Sequence, residues 1–105
     1  MRIYVAGPYS QGDLAANVRR AMDAGTALLA AGHAPLVPHL NHFWHAHEPH
    51  PERTWLDLDL AWLEVADAVL RLPGPSAGAG AECDAARHLG IPVYGALADV
   101  PRGTP

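Results

Sequence analysis

The sequence contains no lysine, and its seven basic residues are arginines scattered along the chain. Eleven acidic residues outnumber them, so the formal net charge is −4 at pH 7. Nucleic acids and anionic membrane surfaces attract clustered basic side chains, and this chain has no such cluster. We therefore expect neither a nucleic acid nor a membrane as a partner.

Cysteine is almost absent as well, since Cys83 stands alone. One cysteine excludes an intramolecular disulfide and a CxxC motif, and it fits a reducing compartment. No apolar run approaches the length that spans a bilayer, and the N-terminus has no signal-peptide profile. We predict one cytoplasmic domain, residues 1–105, with a loose tail over residues 99–105.

Half of the residues are hydrophobic and only 17% are charged, which is typical of a globular protein. Short β-prone runs alternate with stretches whose apolar residues keep helical spacing. The predicted strands cover residues 3–5, 34–38, 68–72 and 91–94, and the predicted helices cover residues 14–31, residues 52–66 and a third stretch that ends at Gly90. This alternation predicts an α/β fold, a small flavodoxin-like doubly wound parallel sheet of about four strands in the order 2-1-3-4 with flanking helices.

Two predicted strand-to-helix loops are rich in Gly, Pro and Ser and are expected to meet at the carboxyl edge of the sheet. They cover residues 7–13 and 73–79. Free N–H groups at a helix N-terminus suit a small anion such as a phosphate, although ordinary turn chemistry gives the same composition. The candidate binding residues from these loops are Gly7, Pro8, Tyr9, Ser10, Ser76 and Gly78. Neither loop is a Walker motif or a dinucleotide fingerprint, because the Walker lysine and the third glycine are missing.

Glu82 and Asp59 are the candidate reacting groups. Glu82 is expected on the first turn of its helix, where a carboxylate complements the helix dipole or acts as a nucleophile. Asp59 is either a solvated helix residue or a general acid. Two carboxylates that converge on one pocket are what the cleavage of a glycosidic bond requires.

The segment from His39 to Pro51 is aromatic and rich in histidine without a clean period, and we predict a functional loop or partial helix. His39, His42, His45 and His47 are spaced 3, 3 and 2 and could line a metal site, but no cysteine or carboxylate completes a known ligand pattern there. We therefore predict that these histidines line a polar pocket or face solvent, with His39 and His42 as the binding residues, and a metal-binding histidine loop is the further alternative. Trp44 lies within this segment, and Trp55 and Trp62 follow it. Their rings could stack on a nucleobase, although Trp62 is expected in the core or at an interface, as Cys83 is expected in the core.

Three segments together resemble the nucleoside 2-deoxyribosyltransferase-like superfamily. They are residues 3–10 (IYVAGPYS), residues 59–67 (DLAWLEVAD) and residues 76–82 (SAGAGAE), which are similar to the family's D-L-x-W-L-x-x-A-D and S-x-G-x-x-x-E patterns. Residues 38–43 (PHLNHF) resemble a P-H-L-x-H-F segment of a short bacterial branch, related to the 2′-deoxynucleoside 5′-phosphate N-hydrolases. The first loop differs from that of the nucleotide hydrolases, which is rich in Arg and Gly.

The resemblance implies that Glu82 attacks C1′ of the sugar and that Asp59 assists departure of the base. It implies that Ser76, Gly78 and the Gly7 loop form the pocket for a 5′-phosphate or 5′-hydroxyl, with Tyr9 as a wall. No cofactor and no metal are implied.

The expected function is cleavage or transfer of the N-glycosidic bond of a (deoxy)nucleoside or nucleoside 5′-monophosphate. The alternative is a non-catalytic nucleotide-binding or sensing module on the same fold. A homodimer is also expected, because the apolar surface of the second predicted helix exceeds what so small a sheet can cover.

Overall fold

A computed structural model of the protein describes residues 1–103. The described residues form four strands, β1 (Arg2–Ala6), β2 (Ala34–Leu36), β3 (Ala68–Arg71) and β4 (Val93–Tyr94), and four α-helices, α1 (Leu14–Ala30), α2 (Asn41–His47), α3 (Glu52–Leu63) and α4 (Ala77–His88). Two 3₁₀ turns cover Pro38–Leu40 and Leu97–Asp99. None of the helices within residues 1–103 is both long and apolar enough to cross a membrane.

The strands form one parallel sheet in the order β2-β1-β3-β4, which confirms the predicted class and strand order. Side chains alternate across the central strand β1. Tyr4 and Ala6 pack towards α3 and α4, whereas Ile3 and Val5 pack towards α1. Because helices cover both faces, the central strands are buried at consecutive positions, residues 3–6 and residues 68–70, rather than at every second one.

The expected burial of Cys83 is confirmed, since its side chain packs in the core beside Tyr4. The expectation for Trp62 is wrong as far as the core is concerned, because this side chain is 56% exposed. Helix α3 ends at Leu63, before the predicted end at Ala66.

The chain end differs from the loose tail predicted for residues 99–105. The ring of His33 contacts the carbonyl oxygen of Pro101 across 2.7 Å, and the backbone N–H of Gly103 donates to the carbonyl oxygen of Ala31 across 2.8 Å. Hydrogen bonds to the end of α1 thus hold the described part of the tail. Thr104 and Pro105 lie outside the described residues.

Candidate active site

Three chain segments leave the carboxyl ends of neighbouring parallel strands and enclose one cleft of about 720 Å³. The first is the loop after β1, the second is the loop after β3 together with the start of α4, and the third runs from the Pro38–Leu40 turn through α2. Parallel strands end at the same edge, so these segments meet there. The volume suits a small molecule.

Glu82 lines the cleft from the second turn of α4, not from the first turn as expected. The helix begins at Ala77, and the hydroxyl of Ser76 caps it by accepting from the N–H of Ala79 across 3.1 Å. The effect of a helix terminus on a charge falls off within the first turn, so the dipole contributes little to the protonation equilibrium of Glu82. The hydroxyl of Tyr4 donates a hydrogen bond to Glu82 Oε2, and this bond favours the ionised form.

Opposing effects act on the Glu82 carboxyl. Burial has the largest effect and raises the pKa of Glu82 above its usual value, while the hydrogen bond from Tyr4 and the positive charge of Arg71 limit this rise. The guanidinium of Arg71 is fixed by the carbonyl oxygens of Leu72 and Gly74. Burial also raises the pKa of Tyr4 well above its usual range, so its hydroxyl remains a donor at neutral pH.

Asp59 faces the same cleft from α3, and Asn41 Nδ2 donates to its Oδ1 across 3.0 Å. Burial and, to a smaller extent, the negative charge of Glu82 raise the pKa of Asp59 to about 7, against the lowering effect of the Asn41 hydrogen bond. Asp59 can therefore exchange a proton near neutral pH. Two carboxyl groups with different environments in one cleft are the arrangement that acid–base and nucleophilic roles require.

The cleft brings together nearly all the predicted site residues. Those that line it are Gly7, Tyr9, Ser10, His39, His42, Asp59, Ser76, Gly78 and Glu82. Pro8 does not line it. Its carbonyl oxygen instead accepts a hydrogen bond from the ring of His39 across 3.1 Å.

His39 is a buried, neutral histidine at the floor of this cleft. Burial lowers its pKa, and its Nε2–H is committed to Pro8. Within residues 1–103, its buried Nδ1 atom has no hydrogen-bond partner.

The rim of the cleft is held by hydrogen bonds between aromatic side chains. The Tyr9 hydroxyl contacts His42 Nδ1 across 2.8 Å, and the indole N–H of Trp55 donates to His45 Nδ1 across 2.8 Å. The ring of His50 packs edge-on against Trp55. Trp55 also lines the cleft.

The sequence by itself assigned no site role to Tyr4, Asn41, Arg71 and His50. The position of Tyr4 does indicate a role, because a hydroxyl group inside a buried apolar strand needs a hydrogen-bond partner. Asn41 bonds to a residue of a different helix, and the sequence around Asn41 does not indicate that contact.

Every charged residue that lines the described part of the cleft is acidic: Glu52, Asp59 and Glu82. No group of three or more His, Cys, Asp or Glu residues suited to a metal ion occurs within residues 1–103.

A second depression, the apolar groove, lies beyond Asp59 and has a volume of about 660 Å³. Its exposed apolar side chains come from α1, β2, the Pro38–Leu40 turn, α2 and α3, and they are Met22, Leu29, Leu36, Leu40, Trp44 and Trp62. Asp59 lines the groove and the cleft alike.

A family model described as Domain of unknown function (DUF7768) matches residues 1–95. Among solved structures, a 2-deoxyribosyltransferase from the psychrotolerant bacterium Bacillus psychrosaccharolyticus superposes with a TM-score of 0.68 and 24% sequence identity. The match covers 91% of this chain and 75% of that chain, and the two share a fold. No curated protein matches the sequence.

Proposed function

The chain belongs to the family described as Domain of unknown function (DUF7768), and we propose that it cleaves or transfers the N-glycosidic bond of a nucleoside. The observation that carries the proposal is the pair of carboxyl groups in one cleft, Glu82 supported by the Tyr4 hydroxyl and Asp59 bonded to Asn41. The fold shared with a 2-deoxyribosyltransferase supports the same reaction class.

In the first half-reaction, a carboxylate oxygen of Glu82 attacks C1′ of the sugar. The C1′–O bond forms as the C1′–N bond breaks, and the electron pair of the broken bond leaves on the base. Asp59 gives its proton to the departing base, for which its pKa of about 7 suits it at neutral pH. The product is a glycosyl-enzyme ester on Glu82.

In the second half-reaction, ionised Asp59 takes a proton from water or from the N–H of an acceptor base. The oxygen or nitrogen thus activated attacks C1′, and the bond to Glu82 breaks with return of its electron pair to the carboxylate. Two displacements retain the configuration at C1′. Attack by water gives hydrolysis, and attack by a base gives transfer.

The charges of the cleft favour an unphosphorylated nucleoside over a nucleoside 5′-monophosphate. The charged lining residues are Glu52, Asp59 and Glu82, and Arg71 is committed to backbone carbonyl oxygens. A phosphate dianion would meet these carboxylates and, in the described part of the cleft, no opposing side-chain charge. The first N–H groups of α4 could still donate to an anion, although those of Ala79 and Gly80 are already bonded to Ser76.

The test measures release of free base from a panel of nucleosides, 2′-deoxynucleosides and their 5′-monophosphates, with and without acceptor bases. We expect release by the wild type and a loss of at least about 100-fold in Glu82→Gln and Asp59→Asn. Matched controls lie on the same helices: Asp84→Asn on α4 and Asp57→Asn on α3 are exposed and should retain the wild-type rate. Thermal stabilisation by nucleotides without any base release would favour the sensing module instead.

We also propose a homodimer that covers the apolar groove. Trp62, Leu29 and Trp44 are each more than half exposed, and isolated monomers rarely expose contiguous apolar surface of this kind. The edge of β2 that faces away from β1 borders the same groove. A cytoplasmic location remains a prediction from the sequence.

A further inference from the structure

Asn41 connects helix α2, at the cleft, with Asp59, the proposed acid. It is the first residue of α2, and Asp59 lies 18 residues later on α3. The 3.0 Å contact between Asn41 Nδ2 and Asp59 Oδ1 is the polar contact that ties the start of α2 to α3. Both side chains are partly buried and line the cleft.

The chemistry of this contact favours one position for the proton of Asp59. The amide Nδ2 of asparagine only donates, and the carbonyl oxygen of a carboxylic acid accepts a hydrogen bond better than its hydroxyl oxygen does. In the acid form of Asp59, the contact between Nδ2 and Oδ1 therefore favours the proton on Oδ2. The amide also favours the ionised form, because a hydrogen bond to a carboxylate is stronger than one to a carboxylic acid.

Asn41 and the other groups around Asp59 have opposite effects on the protonation of Asp59. The titratable groups that share the cleft or contact its carboxylates are Tyr4, Tyr9, His39, His42, His45, His50, Glu52 and Glu82. The apolar groove on the other side of Asp59 adds none among its described lining residues. Burial and the charge of Glu82 favour the acid form of Asp59, and the Asn41 amide opposes both.

We propose that Asn41 is a positioning residue that holds the Asp59 carboxyl with its proton on Oδ2 and keeps that proton labile enough to be given to the base and regained. This role in the reaction rests on the proposed function. The hydrogen bond and its effect on Asp59 can be measured without any turnover.

The first test is an NMR titration of the Asp59 side-chain carboxyl carbon in the wild type and in Asn41→Ala, with Asp59→Asn to assign the signal. Loss of the donor should raise the Asp59 pKa by about one unit. Asn41→Asp keeps the side-chain shape and suits the first position of a helix, so it guards against misfolding. It replaces the donor with another carboxylate and should raise the Asp59 pKa further. His47→Ala, on the exposed side of the same helix, should leave the titration unchanged.

The second test is the pH dependence of base release. In Asn41→Ala, the basic limb of the profile should move to higher pH with the NMR titration, and kcat should fall about tenfold while KM changes less than twofold. An unchanged Asp59 titration would overturn the proposal, and so would a lower Asp59 pKa, since the amide would then be accepting the proton. A wild type that releases no base would overturn the proposed function, while a raised Asp59 pKa would still support the Asn41 contact.

Discussion

Two aspartates that lie two residues apart on α3 have opposite environments. Asp57 is exposed and pairs with Arg53 on the same helix, across 3.1 Å. Asp59 is turned into the cleft and bonds to Asn41. Residue type and helix position are nearly the same for both, so the difference in their chemistry comes from what α3 packs against.

The environment of Asp59 predicts how the free energy of unfolding depends on pH. The pKa of Asp59 is raised from 3.8 to about 7, so between these pH values the folded protein holds a proton that the unfolded chain releases. The free energy of unfolding should therefore fall as the pH rises from about 4 to 7. Asp59→Asn removes the charge, and we expect it to raise the free energy of unfolding at pH 8 by roughly 1 kcal/mol after allowance for solvent screening.

Urea unfolding at pH 4 and pH 8 measures this effect. Asp57→Asn is the control, and its exposed ion pair predicts a change of less than about 0.5 kcal/mol at either pH. Equal stabilities of Asp59→Asn and wild type at pH 8 would contradict the assignment of Asp59 as a partly buried carboxyl whose ionised form is destabilised.

At the scale of elements, the loop after β1 and the loop after β3 touch through a glycine. A Cβ atom added at Gly7 would lie 2.8 Å from the Cβ of Leu72, which is closer than side-chain carbons approach. Gly7 is therefore needed to bring the two loops together over the cleft. Asn17, buried near the start of α1, holds the first loop from behind by donating to the carbonyl oxygens of Tyr9 and Gln11 across 2.9 and 2.7 Å.

We expect Gly7→Ala to lower the free energy of unfolding by about 1–3 kcal/mol, because one of the loops must shift. Gly80→Ala is the matched control. It lies inside α4 with nothing within 4 Å of an added Cβ, and it should raise stability by about 0.5–1 kcal/mol. Thermal or urea unfolding measures both variants. A Gly7→Ala protein as stable as wild type would mean that the loops do not need this close approach.

At the scale of the whole molecule, the apolar groove exposes large apolar side chains from several elements of the fold, among them Leu29, Trp44 and Trp62. It borders the edge strand β2, where a sheet is open to further contacts. The proposed homodimer would cover this groove.

We expect the wild type to sediment as a dimer and Trp62→Asp to sediment as a monomer, because a charge in an apolar interface costs several kcal/mol. Leu89→Asp is the control, since Leu89 is 52% exposed but lies at the end of α4, outside the groove. Analytical ultracentrifugation over a range of concentrations distinguishes the species. A wild type that is monomeric at every concentration would refute the dimer.

The sequence by itself determined the α/β class, the strand order and most of the candidate site residues. Hydrophobic periodicity and turn residues are local signals, and chain order fixes which loops meet at the carboxyl edge of a parallel sheet. These signals place the Gly7 and Ser76 loops at one edge of the sheet, whereas the pairing of Glu82 with Asp59 was expected only from the family resemblance. Tertiary structure alone decided how these groups are supported: Tyr4 on Glu82 and Asn41 on Asp59. Such contacts join residues 78 and 18 positions apart, and the desolvation that shifts the pKa values exists only once the elements have packed.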